Sequence, residues 1–354
     1  QQKNRFFVEG DPEAILILEF RADTLIEGKS QARQLIKLLH ESQLGYAYPE
    51  ILGEHTENVW NLRKAGLGLL ANIPGDKKAV ACIEDTAVAV KDLPNYIAEF
   101  TKMMEDFGQE AVYYAHAGAG ELHLRPILNL KQQEDVVLFR KITSKTAVLV
   151  KKYGGSFSGE HGDGIVRAEF IPKMIGVKNY ELLKRIKYTF DPNNIFNKGK
   201  IIDPLPMDES LRYEIDRKEP IIETIQDFSD SLGILRAAEK CNGSGDCRKT
   251  HLSGGTMCPS FMATRDEKDT TRARANILRE FLTHSDKQNR YDHKEIYDVY
   301  DLCLSCKGCK TECPSNVDVA SLKAEFLQHY YDANGVPMRT HLIANITKYN
   351  KLGA

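Results

Sequence analysis

The sequence predicts an α+β domain, a mainly antiparallel sheet with helices over one face, followed by a smaller all-α domain. Three observations carry that expectation. Over residues 6–202 short apolar, β-compatible runs alternate with helical patterns on short connections, without the fixed period of a solenoid. Residues 203–232 are rich in charge and carry Pro204, Pro206 and Pro220, the composition of a segment between domains. Beyond it strand-like runs are absent, and seven of the eight cysteines fall between Cys241 and Cys313.

Taken in order, residues 14–20 read as a strand, and Ser30 caps a helix with Ala32, Leu35, Ile36 and Leu39 on one face. Residues 79–90 are strand-rich, 94–107 helical, 111–115 and 122–128 strands, and 134–152 helical. That order is of the ferredoxin-like type. Residues 270–282 and 319–331 read as helices. The expected limits are residues 1–204 for the first domain, 205–232 for the linker and 233–335 for the all-α domain. Residues 336–354 then begin a further region.

Charge and hydropathy exclude several classes. With 48 basic against 50 acidic residues the net charge is −2, which argues against a polyanion binder, and no basic patches interleave with aromatics to suggest a nucleic-acid partner. No apolar run approaches the roughly 20 residues that span a bilayer. The N-terminus lacks a basic segment followed by an apolar one, so export is not expected. The expected location is the reducing cytoplasm, with peripheral attachment at the inner face of a membrane left open. There a local cysteine cluster favours metal binding over disulfides.

The run Cys303, Cys306, Cys309, Cys313, Pro314 has the spacing C-x2-C-x2-C-x3-C-P of bacterial ferredoxins. In that arrangement three thiolates bind one 4Fe-4S cluster and the fourth serves another. Zinc sites instead present separated C-x2-C pairs. A second partial motif is therefore required, and Cys241, Cys247 and Cys258 supply it. Cys258, followed by Pro259, should complete the cluster of Cys303, Cys306 and Cys309, while Cys241 and Cys247 join Cys313. Midway between Cys241 and Cys247 stands Ser244, leaving three thiolates. That is most simply a 3Fe-4S cluster, and the C-x5-C spacing is similar to the three-iron site of succinate dehydrogenase iron-sulfur subunits. A 4Fe-4S cluster with Ser244 or His251 as fourth ligand is the alternative. Cys82 reads as an inert core thiol.

In the first domain, His116-Ala-Gly118-Ala-Gly120-Glu-Leu-His123 places two histidines seven apart. On an unbroken strand they would face opposite ways. Gly118 and Gly120 permit a turn that lets both imidazoles converge on one ion. Within the glycine-rich stretch 154–164, Gly159-Glu160-His161-Gly162 adds a carboxylate beside a histidine. Glu160 with His116 and His123 makes a His2Glu donor set, which in zinc enzymes leaves one position open, with His161 free as a base. An ordinary turn between two helices is the plain alternative.

These residues resemble a known family. The stretch from His116 to His123 resembles the H-x-G-D-G-N-x-H motif of FAD-linked oxidases of the D-lactate and D-2-hydroxyglutarate dehydrogenase type, with Ala119 and Glu121 in place of the usual Asp and Asn. Gly159-Glu160-His161-Gly162 resembles their G-x-x-x-E-H-G motif, and Phe190-Asp-Pro192 to Asn197-Lys-Gly199-Lys200 their FDP…NPGK signature. The resemblance implies that His116, His123 and Glu160 hold a divalent metal, zinc or manganese, which binds the substrate hydroxyl. It implies that His161 takes the hydroxyl proton as hydride leaves to the flavin. Arg63, in Trp60-Asn-Leu-Arg63, matches the family's W-x-x-R position for the substrate carboxylate, with Lys78 assisting. Gly118, Gly120 and Asn197 would lie next to the flavin. The implied whole is a fused D-2-hydroxyacid dehydrogenase passing electrons from FAD through two iron-sulfur clusters to a carrier such as quinone. Its FAD-pyrophosphate region is expected N-terminal to this one and a further cysteine-rich region C-terminal to it, so this stretch alone should be inactive. The rival is an electron-transfer or subunit-docking module without a substrate site.

Overall fold

The computed structural model describes residues 2–71 and 73–353. Gln1, Asn72 and Ala354, which fall within the expected limits 1–204 and 336–354, lie outside the described residues. The chain divides into two compact units, Gln1–Leu69 and Leu70–Ala354. In the first, α1 (Leu25–Ser42) begins at Thr24, whose hydroxyl accepts the Glu27 N–H, and α2 (His55–Ala71) follows. Two expectations are corrected here. Ser30 lies inside α1, and Thr24-Leu-Ile-Glu27 has the spacing of a capping box. Residues 14–20 form no strand and all but Ile17 are exposed. A strand needs an edge to satisfy its backbone, and among the described residues no strand pairs with them.

The second unit opens on the sheet. Its strands are β1 (Lys78–Ala79), β2 (Ile83–Ala87), β3 (Ala111–His116) and β4 (Glu121–Leu128), every pairing being antiparallel. β2 and β3 both pair with residues 121–124 of β4, so they flank it on opposite edges; β1 joins its C-terminal end. Two helices connect and follow the strands, α3 (Leu93–Asp106) and α4 (Gln133–Lys152). Tyr96, Phe100 and Met104 of α3 and Phe139, Ile142 and Val150 of α4 form one core with Cys82, Ile83, Leu122 and Leu124. Burial of these apolar faces is the main source of stability at about 25 cal/mol per Å². Cys82 is fully buried there, its thiol pushed up to about 12 by burial.

After α5 (Ile171–Ile175) and α6 (Val177–Phe190), residues 191–228 contain no α-helix or strand, and the remainder is helical. It comprises α7 (Ile234–Glu239), α8 (Pro259–Thr264), α9 (Thr271–His284), α10 (Lys294–Asp301), α11 (Gly308–Glu312), α12 (Val319–Asn334), α13 (Met338–Ala344) and α14 (Ile346–Gly353). A second core joins Leu278 and Leu282 of α9, Tyr300 of α10 and Phe326 of α12 with Cys241, Cys247, Cys258 and Cys309. No helix among the described residues is long and apolar enough to cross a membrane.

A buried charge network ties the sheet to α7. Lys131 Nζ lies 3.1 Å from Asp76, 2.7 Å from Glu219 and 2.8 Å from Glu239, and Arg236 of α7 forks onto Asp76 at 2.8 and 2.7 Å. The Arg236 hydrogen bonds, against burial and with help from Lys131, hold the Asp76 carboxyl down at about 2. A depressed carboxyl stabilises the fold above its unfolded pKa and loses that contribution as pH falls through the folded one. Asp76→Asn should therefore cost about 2 kcal/mol at neutral pH. In urea unfolding the difference from wild type should shrink as pH falls from about 4 towards 2.

Candidate active site and cysteine cavity

The two histidines meet because the chain reverses between them. β3 ends at His116, a tight turn covers 117–119, Gly120 takes φ 73°, and β4 starts at Glu121. The register pairs His116 with Glu121 and Tyr114 with His123, so alternation puts His116, Glu121 and His123 on one face. Their imidazole centroids are 5.3 Å apart. Gly120 is required twice over, by its positive φ and because a Cβ there would lie 2.0 Å from the Val88 carbonyl oxygen. Gly118 faces open space.

Glu160 and His161 reach the same place from a loop. Ser156 bridges to Ala87 of β2 through two backbone hydrogen bonds, each 2.9 Å, and a Cβ on Gly155 would collide with the Ala87 carbonyl at 2.3 Å. Further along, the loop is held by Asp85, the extra residue of a β-bulge in β2, with φ 74°. Bulges re-aim side chains. The buried Asp85 carboxylate accepts from Ser158 Oγ at 2.6 Å, Glu160 N–H at 2.6 Å and His161 N–H at 2.8 Å. Arg167, also buried, donates to the Glu84 carbonyl and, at 2.7 Å, to that of Gly162.

The result is a convergent donor set. Glu160 Oε1 lies 3.6 Å from His116 Nε2, 3.6 Å from His123 Nε2 and 3.2 Å from His161 Nε2. His116, His123 and Glu160 each offer one ligand atom within 4.8 Å of the others. Ligands about 2.0–2.2 Å from one ion are roughly 3–3.5 Å apart, so the set fits a metal. His123 is 4% exposed, and burial, reinforced by His161 and His116, lowers its pKa, giving the neutral imidazole a metal needs. Its Nδ1 has no close hydrogen-bond partner but faces Glu84 Oε1 at 3.5 Å, and Arg125 holds Glu84 at 2.7 and 2.6 Å. Glu121 shares a hydrogen bond with Asp85, which together with burial and the Glu160 charge holds its carboxyl up at about 7. For Asp85 burial would raise the pKa, but the hydrogen bonds from Glu121, Ser158, Glu160 and His161 hold it well below the usual range. His116, His161 and Glu160 are half exposed, so one side of the donor set is open.

Three further residues were expected at the site. Lys78 pairs with Leu128 of β4, five residues beyond His123, and so is displaced about 17 Å along the strand from the histidines. Its ammonium donates to the Ile73 carbonyl and interacts with Asp76 and Glu239. Arg63 lies on α2 in the first unit, its guanidinium 5.8 Å from the Trp60 ring centroid. Asn197, at φ 48°, accepts from Lys200 Nζ at 3.2 Å beside the exposed Phe190, Ile195 and Phe196.

The cysteines gather into two groups. Cys258, at the N-terminus of α8, lines one cavity with Cys303, Cys306 and Cys309. Ser305 and Lys307, at φ 52° and 61°, coil the backbone between Cys303 and Cys309. Cys241 acts electrostatically on both Cys247 and Cys313, whose thiols burial also pushes up. Among the described residues no three cysteine sulfurs converge within 4.8 Å. Ser244 sits in the exposed loop between Cys241 and Cys247, and His251 is exposed, sharing a hydrogen bond with Arg265 at 3.2 Å.

Comparison with known proteins settles the family. The profile described as FAD linked oxidases, C-terminal domain, matches residues 2–201. The chain belongs to the FAD-linked oxidases. A second profile, 4Fe-4S dicluster domain, matches residues 240–318 of this FAD-linked oxidase. A D-2-hydroxyglutarate dehydrogenase of Pseudomonas putida is 32% identical over 96% of this chain and 37% of its own length. One of Escherichia coli is 31% identical over the same shares. A D-lactate dehydrogenase of Archaeoglobus fulgidus is 33% identical over 37% of this chain and 29% of its own. This FAD-linked oxidase chain thus spans 37% of the length of the first two relatives.

Glu84, Asp85, Arg125 and Arg167, which hold the oxidase's histidine cluster, were not singled out from sequence. A signal existed in Cys82-Ile83-Glu84-Asp85-Thr86: two adjacent acids in an apolar strand point to opposite faces, so one must turn inward.

Proposed function

We propose that the complete protein oxidises a D-2-hydroxyacid to its 2-oxoacid and passes the electrons through two iron-sulfur clusters to a carrier such as quinone. The carrying observation is the convergence of His116, His123, Glu160 and His161 on one open face. When bound, a zinc or manganese ion supplies a Lewis acid for the substrate hydroxyl and FAD supplies the acceptor for the hydride from C2. His116, His123 and Glu160 hold the ion. His161 removes the hydroxyl proton, so that one proton and one hydride leave the carbinol together. Glu84 orients His123 by facing its Nδ1, leaving Nε2 for the ion. Arg63 offers a planar fork for the substrate carboxylate. When FAD is bound, Gly118, Gly120 and Asn197 would border its flavin ring.

The relay takes Cys258, Cys303, Cys306 and Cys309 for a 4Fe-4S cluster, and Cys241, Cys247 and Cys313 for a 3Fe-4S cluster. The test is electron paramagnetic resonance of the anaerobically purified complete protein before and after dithionite, with iron and sulfide counted. An oxidised three-iron signal and a reduced four-iron signal are expected, and adding a D-2-hydroxyacid should bleach the flavin. Ser244→Cys should supply a fourth thiolate and abolish the three-iron signal. Zinc without iron, or a flavin that no hydroxyacid reduces, would overturn the reading.

A further inference from the structure

Arg274 of α9 is fully buried, and its guanidinium is spent around one sulfur. Nη1 donates to Cys258 Sγ at 3.4 Å, to Ser260 Oγ at 2.9 Å and to the Asp269 carbonyl at 2.7 Å. Nε donates to the Val299 carbonyl at 3.0 Å, and Nη2 lies 3.4 Å from Asp269 Oδ1. Arg274 lines the same cavity as Cys258, Cys303, Cys306 and Cys309. Its one buried carboxylate partner, Asp269, also accepts from Thr264 Oγ1 at 2.8 Å and faces Lys268 at 3.6 Å.

A guanidinium does not lose its proton in a protein, so this is a permanent cation. Burying one is costly, and where only volume and packing matter an apolar side chain does as well or better. Its effect on the cavity is electrostatic. A four-iron core with four thiolates is an anion that gains one more negative charge on reduction, and a fixed positive donor at a ligand sulfur favours the reduced form. The low local dielectric strengthens that preference. In the other cysteine group the amide of Asn276 approaches Cys241 Sγ at 3.8 Å, Arg212 binds the Cys241 carbonyl rather than its sulfur, and the Arg272 charge acts on Cys247.

We propose that Arg274 tunes the electron relay, raising the reduction potential of the cluster held by Cys258, Cys303, Cys306 and Cys309 through its hydrogen bond to Cys258. The inference rests on the cluster reading above. Asp269 partly offsets the cation, so the two residues act with opposite sign.

The test is a redox titration of the complete protein followed by the four-iron resonance signal, with iron and sulfide counted in every variant. Arg274→Gln should lower the reduced-to-oxidised ratio at least tenfold at the wild-type midpoint, about 59 mV for one electron. Arg274→Lys, which keeps the charge but not the fork, should shift it less, and Asp269→Asn should shift it the other way. Should Arg274→Gln fail to assemble its cluster, the Lys and Asn variants decide by the sign of their shifts. Fully loaded variants with ratios within about twofold of wild type would overturn the proposal. A wild-type protein without iron and sulfide would overturn the cluster reading itself, an outcome visible before any variant is titrated.

Discussion

His161→Ala in the complete protein should lower kcat by roughly 10²–10⁴-fold, the range for loss of a positioned general base. The geometry gives the reason. His161 Nε2 is 3.2 Å from Glu160 Oε1, and its ring stacks on His123 with centroids 5.3 Å apart, so the base stands beside the atoms proposed to hold the substrate hydroxyl. Carboxylate binding is assigned to other groups, so KM should move far less than kcat. Metal content should stay near wild type, because His116, His123 and Glu160 remain. Steady-state kinetics with metal analysis on the same sample checks this. Turnover within a few fold of wild type would remove His161 from the proton transfer, and simultaneous loss of metal would make it a ligand instead.

The second large effect is expected at Asp85, a residue that touches neither substrate nor ion in the proposed reaction. Asp85→Ala removes the acceptor for two backbone N–H groups and the Ser158 hydroxyl, and leaves the buried Arg167 without the carboxylate 3.6 Å away. Breaking such a buried pair costs on the order of 3–5 kcal/mol. Alanine is also poorly suited to φ 74°, a conformation that Asp and Asn adopt more readily. Because the same bonds position Glu160 and His161, metal affinity should fall about 10–100-fold. Asp85→Asn keeps the backbone preference and one acceptor oxygen, so it should lie between wild type and alanine in both stability and metal affinity. Denaturant unfolding and metal titration measure the two effects, and an alanine variant that binds metal as tightly as wild type would remove the loop-pinning role.

How much of this was visible before folding depends on the range over which each signal acts. Cys303, Cys306 and Cys309 lie within a few residues of one another, as a single coil of backbone around one inorganic core requires, and Pro259 and Pro314 motivate the proposed ligand crossing. Both groups could therefore be proposed from spacing. The helices at 94–107 and 134–152 were visible for the same reason, an apolar face repeating within one element. The failures have the opposite origin. Residues 14–20 are apolar enough for a strand, but a strand exists only if another edge pairs with it. The start of α1 was misplaced although Thr24 and Glu27 carried the capping spacing.

The histidine cluster lies between these cases. The sequence carries the proposed ligands His116, His123 and Glu160 and the proposed base His161 in two short glycine-flanked motifs, which is why they could be singled out together. That His116 and His123 share a face follows from the hairpin register, which pairs His116 with Glu121 and reverses the chain between them. That Glu160 reaches them follows from a bulge at Asp85, one residue out of the period of two, and no periodic pattern in the chain announces it. Likewise Arg274 is buried by the packing of α9 beside the cysteine cavity, a placement set by segments far apart in the chain. Residue chemistry is carried by the chain locally. The direction in which a side chain points, and therefore the field it exerts on a distant ligand, depends on contacts between segments far apart in sequence.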